Sequence, residues 1–266
     1  MSPKISVVVV PRERFCFAQR SLQSLLDNTD YPHQLVYVDN KSPRRLKRFL
    51  QERSREHGME VCRSEHYRSP NACRNLGLRH VAHDSKYICF VDNDVVFQRG
   101  WLGKLVEAAE ETDATAVAPL VCQWEPVHQT IHCAGGDYLP EEEKQSFLEA
   151  HQSDVPAHDG RTCDLKEHIY RQGEKVEDVK HELRRGPVDF VEYHCVMIRR
   201  DFFEQNGILD ERFQCTKEYI DLAMSIATAG GQIVLEPTSI VTFLSHPPAP
   251  AVSFEDMPFF VLRWSD

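Results

Sequence analysis

The sequence predicts an α/β fold: a Rossmann-like, mostly parallel central sheet flanked by helices. Three observations carry that prediction. Short β-branched or aromatic runs alternate with stretches of helical period over residues 5–120. One of these runs, Tyr87-Ile88-Cys89-Phe90-Val91, ends abruptly in Asp92-Asn93-Asp94. A helical stripe of Trp101, Leu105 and Ala109 follows soon after. Strand, acidic exit, loop and helix is the layout of a ligand site at the carboxyl end of an open α/β sheet.

Each element has a local reason. Ile5–Val10 is β-branched and reads as a buried first strand, stopped by Pro11. Phe17–Asn28 places Ala18, Leu22, Leu25 and Leu26 on one side and reads as an amphipathic helix. Gln34–Val38 is a second strand, running out into Asp39-Asn40-Lys41-Ser42. Arg44–His57 is a charged helix with Leu46 and Leu50 inward and Gly58 closing it. Met59–Cys62 reads as a third strand. Ser69-Pro70 pairs an N-cap with proline at the first helical position, opening a helix toward Val81. Ala114–Val121 is another strand, and Pro119 predicts that it lies at an edge or a strand end. Residues 123–266 form the second half, with a long polar insertion at 137–187 after the Gly135-Gly136 turn. Val188–Ile198 reads as one strand. Lys217–Ala229 reads as a helix ended by Gly230-Gly231. Gln232–Leu235 and Ser239–Phe243 read as two short strands.

Composition bounds the function. Apolar content of 41% and charged content of 27% fit a globular chain and exclude a wholly disordered one. A formal net charge of -10 disfavours a nucleic-acid partner. No apolar run reaches the ~18 residues needed to span a bilayer, and no signal peptide is legible at the N-terminus. Nine scattered cysteines without a C-x-x-C pair read as reduced thiols, so the expected location is cytoplasmic.

The polar residues at the strand exits have a chemistry in common. Asp92 and Asp94, two apart, would share one face if the strand continued through them. Hard cations such as Mg²⁺ and Mn²⁺ take carboxylate ligands and share them with substrate phosphates. Glu218 and Asp221, three apart, share a helix face. Each feature alone has a bland reading as cap, turn or solvated face. Their order is more specific. Six stretches resemble the family 2 glycosyltransferases of GT-A fold: the opening strand with its proline; Ser21-Leu22-x-Ser24-Leu25-Leu26; Val36-Tyr37-Val38-Asp39-Asn40-Lys41-Ser42; Asn71-Ala72-Cys73-Arg74-Asn75-Leu76-Gly77-Leu78; Asp92-Asn93-Asp94; and Gly207-Ile208-Leu209-Asp210-Glu211-Arg212-Phe213 with Glu218-x-x-Asp221-Leu222. The resemblance covers about residues 4–121 and 188–246.

That resemblance implies a nucleotide-sugar-binding half at 1–122 and a smaller acceptor-side subdomain at 123–266, together one GT-A domain. It implies a nucleoside-diphosphate sugar donor, a UDP-sugar by preference. The acceptor would be a glycan, a lipid-linked molecule or a small molecule. Pro11, Asp39, Asn93 and Asp92 would line the nucleotide, with Arg74 placing its diphosphate. Asp94 would hold Mn²⁺ or Mg²⁺, joined by a late histidine, His246. One departure stands out: family members commonly carry an aspartate base where this sequence has Tyr219, and a phenol of reference pKa ~10 is a poor base at neutral pH. Glu218 is the expected substitute, with Asp221 positioning the acceptor. The alternatives are a sugar nucleotidyltransferase, disfavoured by the lack of glycine in Pro11-Arg12-Glu13-Arg14-Phe15, and a non-catalytic nucleotide- or glycan-binding module.

Three further features carry weaker signals. His128 and His132 have metal-ligand spacing, but no paired Cys or His site lies nearby in sequence, which disfavours a structural zinc and leaves His132 to line the acceptor cleft instead. Arg44-Arg45-x-Lys47-Arg48 reads as a solvated helix face, with peripheral contact to acidic lipid heads as the sharper alternative. Phe259–Trp264 reads as a packed tail or an interface stripe.

Overall fold

The computed structural model describes residues 4–11, 15–138, 167–213 and 217–244. His246 and the Phe259–Trp264 stretch lie outside the described residues, as does the segment 139–166 of the polar insertion.

One sheet runs through both halves of the chain. Strands β1 (Ile5–Val10), β2 (Gln34–Asn40) and β3 (Glu60–Ser64) are parallel, and β4 (Tyr87–Asp92) lies parallel to β1 on its other side. Helices α1 (Ala18–Asn28), α2 (Arg44–His57) and α3 (Pro70–Leu78) make the crossovers, as parallel pairing requires. After Asp92 the chain turns through Asn93-Asp94 into β5 (Val95–Phe97), then α4 (Trp101–Thr112) and β6 (Ala116–Gln123). The second half supplies β7 (Thr130–Cys133), β8 (Gly136–Tyr138), β9 (Glu167–Ile169), α5 (Val176–Val179), β10 (Gly186–Val188), β11 (Cys195–Arg199), α6 (Arg200–Asn206), α7 (Glu218–Thr228) and β12 (Ile233–Phe243). Across the sheet the order is β10-β12-β6-β11-β4-β1-β2-β3; β5 also pairs β12, and β7 also pairs β6. Antiparallel β11 sits between β4 and β6, so the acidic strand exit is a neighbour of the second half.

Strand alternation builds two core layers. Val7 and Val9 of β1 face the layer holding Leu22, Leu50, Trp101 and Leu105, under α1, α2 and α4. Val8 and Val10 face the other layer, with Cys73, Phe202 and Ile220 from α3, α6 and α7. Close packing of α3 needs Gly77: a Cβ there would meet Val8 Cγ1 at 2.3 Å. Seven cysteines among the described residues are free, and all but Cys16 are buried.

Three expectations are corrected. Strand β6 is not at an edge, because β12 and β11 flank it. Its Pro119 is tolerated because β11 pairs only with Ala116 and Val117, β7 only with residues from Val121 onward, and the β12 ladder shifts register just past Pro119. The two short strands after Gly231 are one strand, β12, with that irregularity inside it. Val188–Ile198 is not one strand: β10 ends at Val188, β11 begins at Cys195, and the connection between them carries the polar residues described next.

Candidate active site

Strand β4 ends at Asp92 rather than continuing through Asp94, so the two carboxylates do not share one face of a single strand as expected. They belong instead to two adjoining groups, each built around a buried tyrosine.

The first group surrounds Tyr37 of β2. Its buried hydroxyl lies near the Asn93 side chain, and the ring lies close enough to Asp39 and Asp94 to feel both charges. Burial, then Asp39, push this phenol far above its ordinary range. The backbone N–H of Asn93 donates to the Val10 carbonyl at 3.0 Å, which fixes the turn against the end of β1 beside buried Pro11. Asp39 accepts from the Ser42 N–H at 2.9 Å and from the Arg63 guanidinium. It borders a cleft of about 300 Å³ that Lys47, Arg55 and Arg63 also line.

The second group surrounds Tyr193, in the β10–β11 connection. The Arg74 guanidinium lies 3.5 Å over its ring, and the charges of Glu218, Asp221 and Asp92 all reach its hydroxyl. Desolvation dominates and drives this phenol well above its usual range. Arg74 is fully buried. Its Nη1 donates to Asn71 Oδ1 at 3.0 Å, and Nη2 lies 3.6 Å from Asp92 Oδ1. Glu218 and Asp221 open α7 and are both buried, not solvated. Two of the recognised sequence stretches are therefore spatial partners. The Asn75 side chain of α3 donates to the Leu209 carbonyl and accepts the Leu209 N–H, while Asn71 donates to the Asp210 carbonyl. Helix α3 thus docks on the Gly207–Phe213 turn that leads toward α7.

Tyr219 points elsewhere. Its hydroxyl donates to Glu167 Oε2 at 2.5 Å, and burial followed by the Glu167 charge raises its pKa far above the ordinary value. It cannot act as a base near neutral pH.

Sequence reasoning missed a third group. His194 Nδ1 contacts Asp92 Oδ2 at 3.1 Å, and its Nε2 lies 3.5 Å from Glu192 Oε2. His132 Nε2 reaches the same Glu192 oxygen at 2.7 Å, so ligating atoms of all three residues lie within 4.8 Å of one another. The sequence hid this group because Glu192 and His194 were placed inside a strand, and His132 lies about sixty residues earlier. His128, which has metal-ligand spacing to His132 in sequence, turns away to Thr242 Oγ1 at 2.7 Å.

The mostly parallel sheet flanked by helices has the GT-A architecture of glycosyltransferases. Residues 6–207 match the family described as Glycosyl transferase family 2, and the chain belongs to that family. It is a glycosyltransferase domain. An O-antigen biosynthesis protein, RfbC of Myxococcus xanthus, is 24% identical over 236 residues, covering 88% of this chain but only 16% of the relative's length. Among solved structures, GalNAc-T7 with UDP, GalNAc and Mn²⁺ is similar at TM-score 0.64 and 17% identity, covering 92% of this chain and 44% of that one. TarS of S. aureus (residues 1–349) with UDP-GlcNAc is similar at TM-score 0.60 and 13% identity, covering 92% and 60%. At these identities the structural likeness establishes the fold. Among the described residues no helix is long and apolar enough to cross a membrane.

Proposed function

We propose that this domain transfers a sugar from a nucleoside-diphosphate sugar, a UDP-sugar in this reading, to an acceptor hydroxyl on a glycan, lipid-linked or small molecule, with inversion at the anomeric carbon. One observation carries the reading: Asp92, Arg74, Glu218 and Asp221, from three separate elements, meet around Tyr193. Asp39, Asn93, Asp94 and Pro11 form the adjoining group where the nucleotide would lie.

The carboxylates at the β4 exit are oxygen donors of the kind that suit Mn²⁺ or Mg²⁺. Asp94 would hold it, with His246 as a further ligand. When bound, such a cation stabilises the charge that develops on the departing diphosphate. The protein residues do the rest. Glu218 takes the proton from the attacking hydroxyl, and Asp221, one helical turn on, holds the acceptor in line. Arg74 acts through Asp92, fixing the carboxylate that borders the donor. Tyr219 is tied to Glu167 and anchors the start of α7.

Calorimetry and turnover test this together. Mn²⁺-dependent UDP binding is expected for the wild type and is lost in Asp94→Ala. Glu218→Gln should abolish sugar transfer while leaving donor affinity near wild type. Wild-type turnover in Glu218→Gln would remove it as the base; Mn²⁺-dependent UDP binding unchanged in Asp94→Ala would remove the donor site.

A further inference from the structure

We propose that His132, Glu192 and His194 form a second metal site, for Zn²⁺ or another late divalent ion, separate from the oxygen site at Asp94. Two imidazoles and a carboxylate are the donor set of open, three-ligand Zn²⁺ and Fe²⁺ sites.

The stronger argument lies in what holds the rings. His194 Nδ1 faces Asp92 Oδ2 at 3.1 Å; a carboxylate only accepts, so Nδ1 carries the proton. In the neutral ring Nε2 is then a lone pair, and it points at Glu192 Oε2, 3.5 Å away. His132 repeats the arrangement. Its Nδ1 sits 3.0 Å from Gln123 Oε1, and its Nε2 is the atom that meets Glu192. Both rings are thus tethered through one nitrogen to a side-chain oxygen, with the other nitrogen aimed at a single point. An outer-shell oxygen that fixes the tautomer and aims the second nitrogen is how metal-binding histidines are oriented. Held this way, both Nε2 atoms and the Glu192 carboxylate converge on one spot, where a cation would take all three as ligands.

The spacing suits it. Ligands on a tetrahedral ion at ~2.1 Å are separated by roughly 3.4 Å, close to the 3.5 Å between His194 and Glu192. His132 must draw back by about 0.7 Å from its present 2.7 Å contact to reach the same separation. Phe243 stacks on His194 at 4.1 Å between centroids and flanks His132 at 5.4 Å, which supplies an apolar wall on one side. The ion would link β7 to the β10–β11 connection next to Asp92, on the second-half side of the cleft.

The test needs no sugar nucleotide, so its outcome is independent of the donor reading. Metal-stripped protein is titrated with Zn²⁺ by calorimetry and with Co²⁺ by visible absorption. One equivalent that persists in Asp94→Ala should bind, with the intense bands of a low-symmetry Co²⁺ site. His132→Ala and Glu192→Gln should lose that binding. Gln123→Leu, which removes only an orienting partner, should weaken it about 10–100-fold. His128→Ala should bind as the wild type does. Zn²⁺ should raise the melting temperature of the wild type but not of Glu192→Gln. Absence of saturable Zn²⁺ or Co²⁺ binding in the wild type would overturn the proposal. So would binding that survives unchanged in both His132→Ala and Glu192→Gln.

Discussion

Replacing Arg74 by methionine separates two roles for this residue. The resemblance to family members implies that Arg74 places the donor diphosphate, whereas the structure buries it completely between Asp92, Asn71 and the Tyr193 ring. Methionine keeps the unbranched stem and deletes the guanidinium. The loss removes one partner of a buried ion pair, which costs about 3–5 kcal/mol when the other charge stays behind. The stacked cation contributes ~2 kcal/mol where desolvated, and since both effects share one group they do not add. Asp92 keeps its His194 contact, which favours the lower end of that range. For a chain of this size each kcal/mol moves the melting temperature by roughly 2–4 °C, so a fall of about 6–20 °C is expected. Differential scanning calorimetry of the unliganded protein measures it. Arg74→Lys, which retains the charge but not the planar fork, should fall between the two. If Arg74→Met melted within about 2 °C of wild type while UDP affinity collapsed, the guanidinium would face the diphosphate directly, and the buried reading would be refuted.

Gly77→Ala should destabilise the fold by about 1–3 kcal/mol, seen as a lower midpoint in denaturant, because the new methyl collides with Val8 and approaches Val38 at 3.3 Å. Helix α3 would have to lift off β1 and β2, so a midpoint equal to wild type would mean that it packs more loosely than described. Alkylation at pH 8 followed by peptide mapping should label Cys16 but spare Cys62, Cys73 and Cys122. Burial raises those three thiols to about 11, 12 and 12, so the reactive thiolate is scarce until the pH climbs through those values. Fast labelling of Cys73 in native protein would place α3 in solvent.

The first half was the more legible because its strands are local, continuous apolar runs. Ile5–Val10 and Tyr87–Val91 are buried on both faces, and a run buried on both faces shows in composition without knowledge of its neighbours. Pro119 misled for the complementary reason. Whether a missing N–H is tolerated depends on which partners happen to face it, and here two neighbouring ladders stop short of it. Polar burial was harder still. Glu218 and Asp221 look like a helix's solvated first turn in sequence, and only the packing of α7 against the sheet shows them buried.

The acidic residues that sequence order singled out are also what makes the unread group possible. A histidine becomes a directed ligand only when something fixes its other nitrogen, and for His194 that something is Asp92, an element of the recognised pattern. The antiparallel pairing of β11 with β4, in which Cys195 faces Val91 and the Asp92 N–H donates to the His194 carbonyl at 3.0 Å, brings the two side chains together. Asp92 is therefore shared. One oxygen faces Arg74 and the other faces His194, so a change around His194 reaches the carboxylate paired with Arg74 through a single residue. Coupling of that kind requires no moving segment, only a buried carboxylate whose two oxygens answer to different side chains.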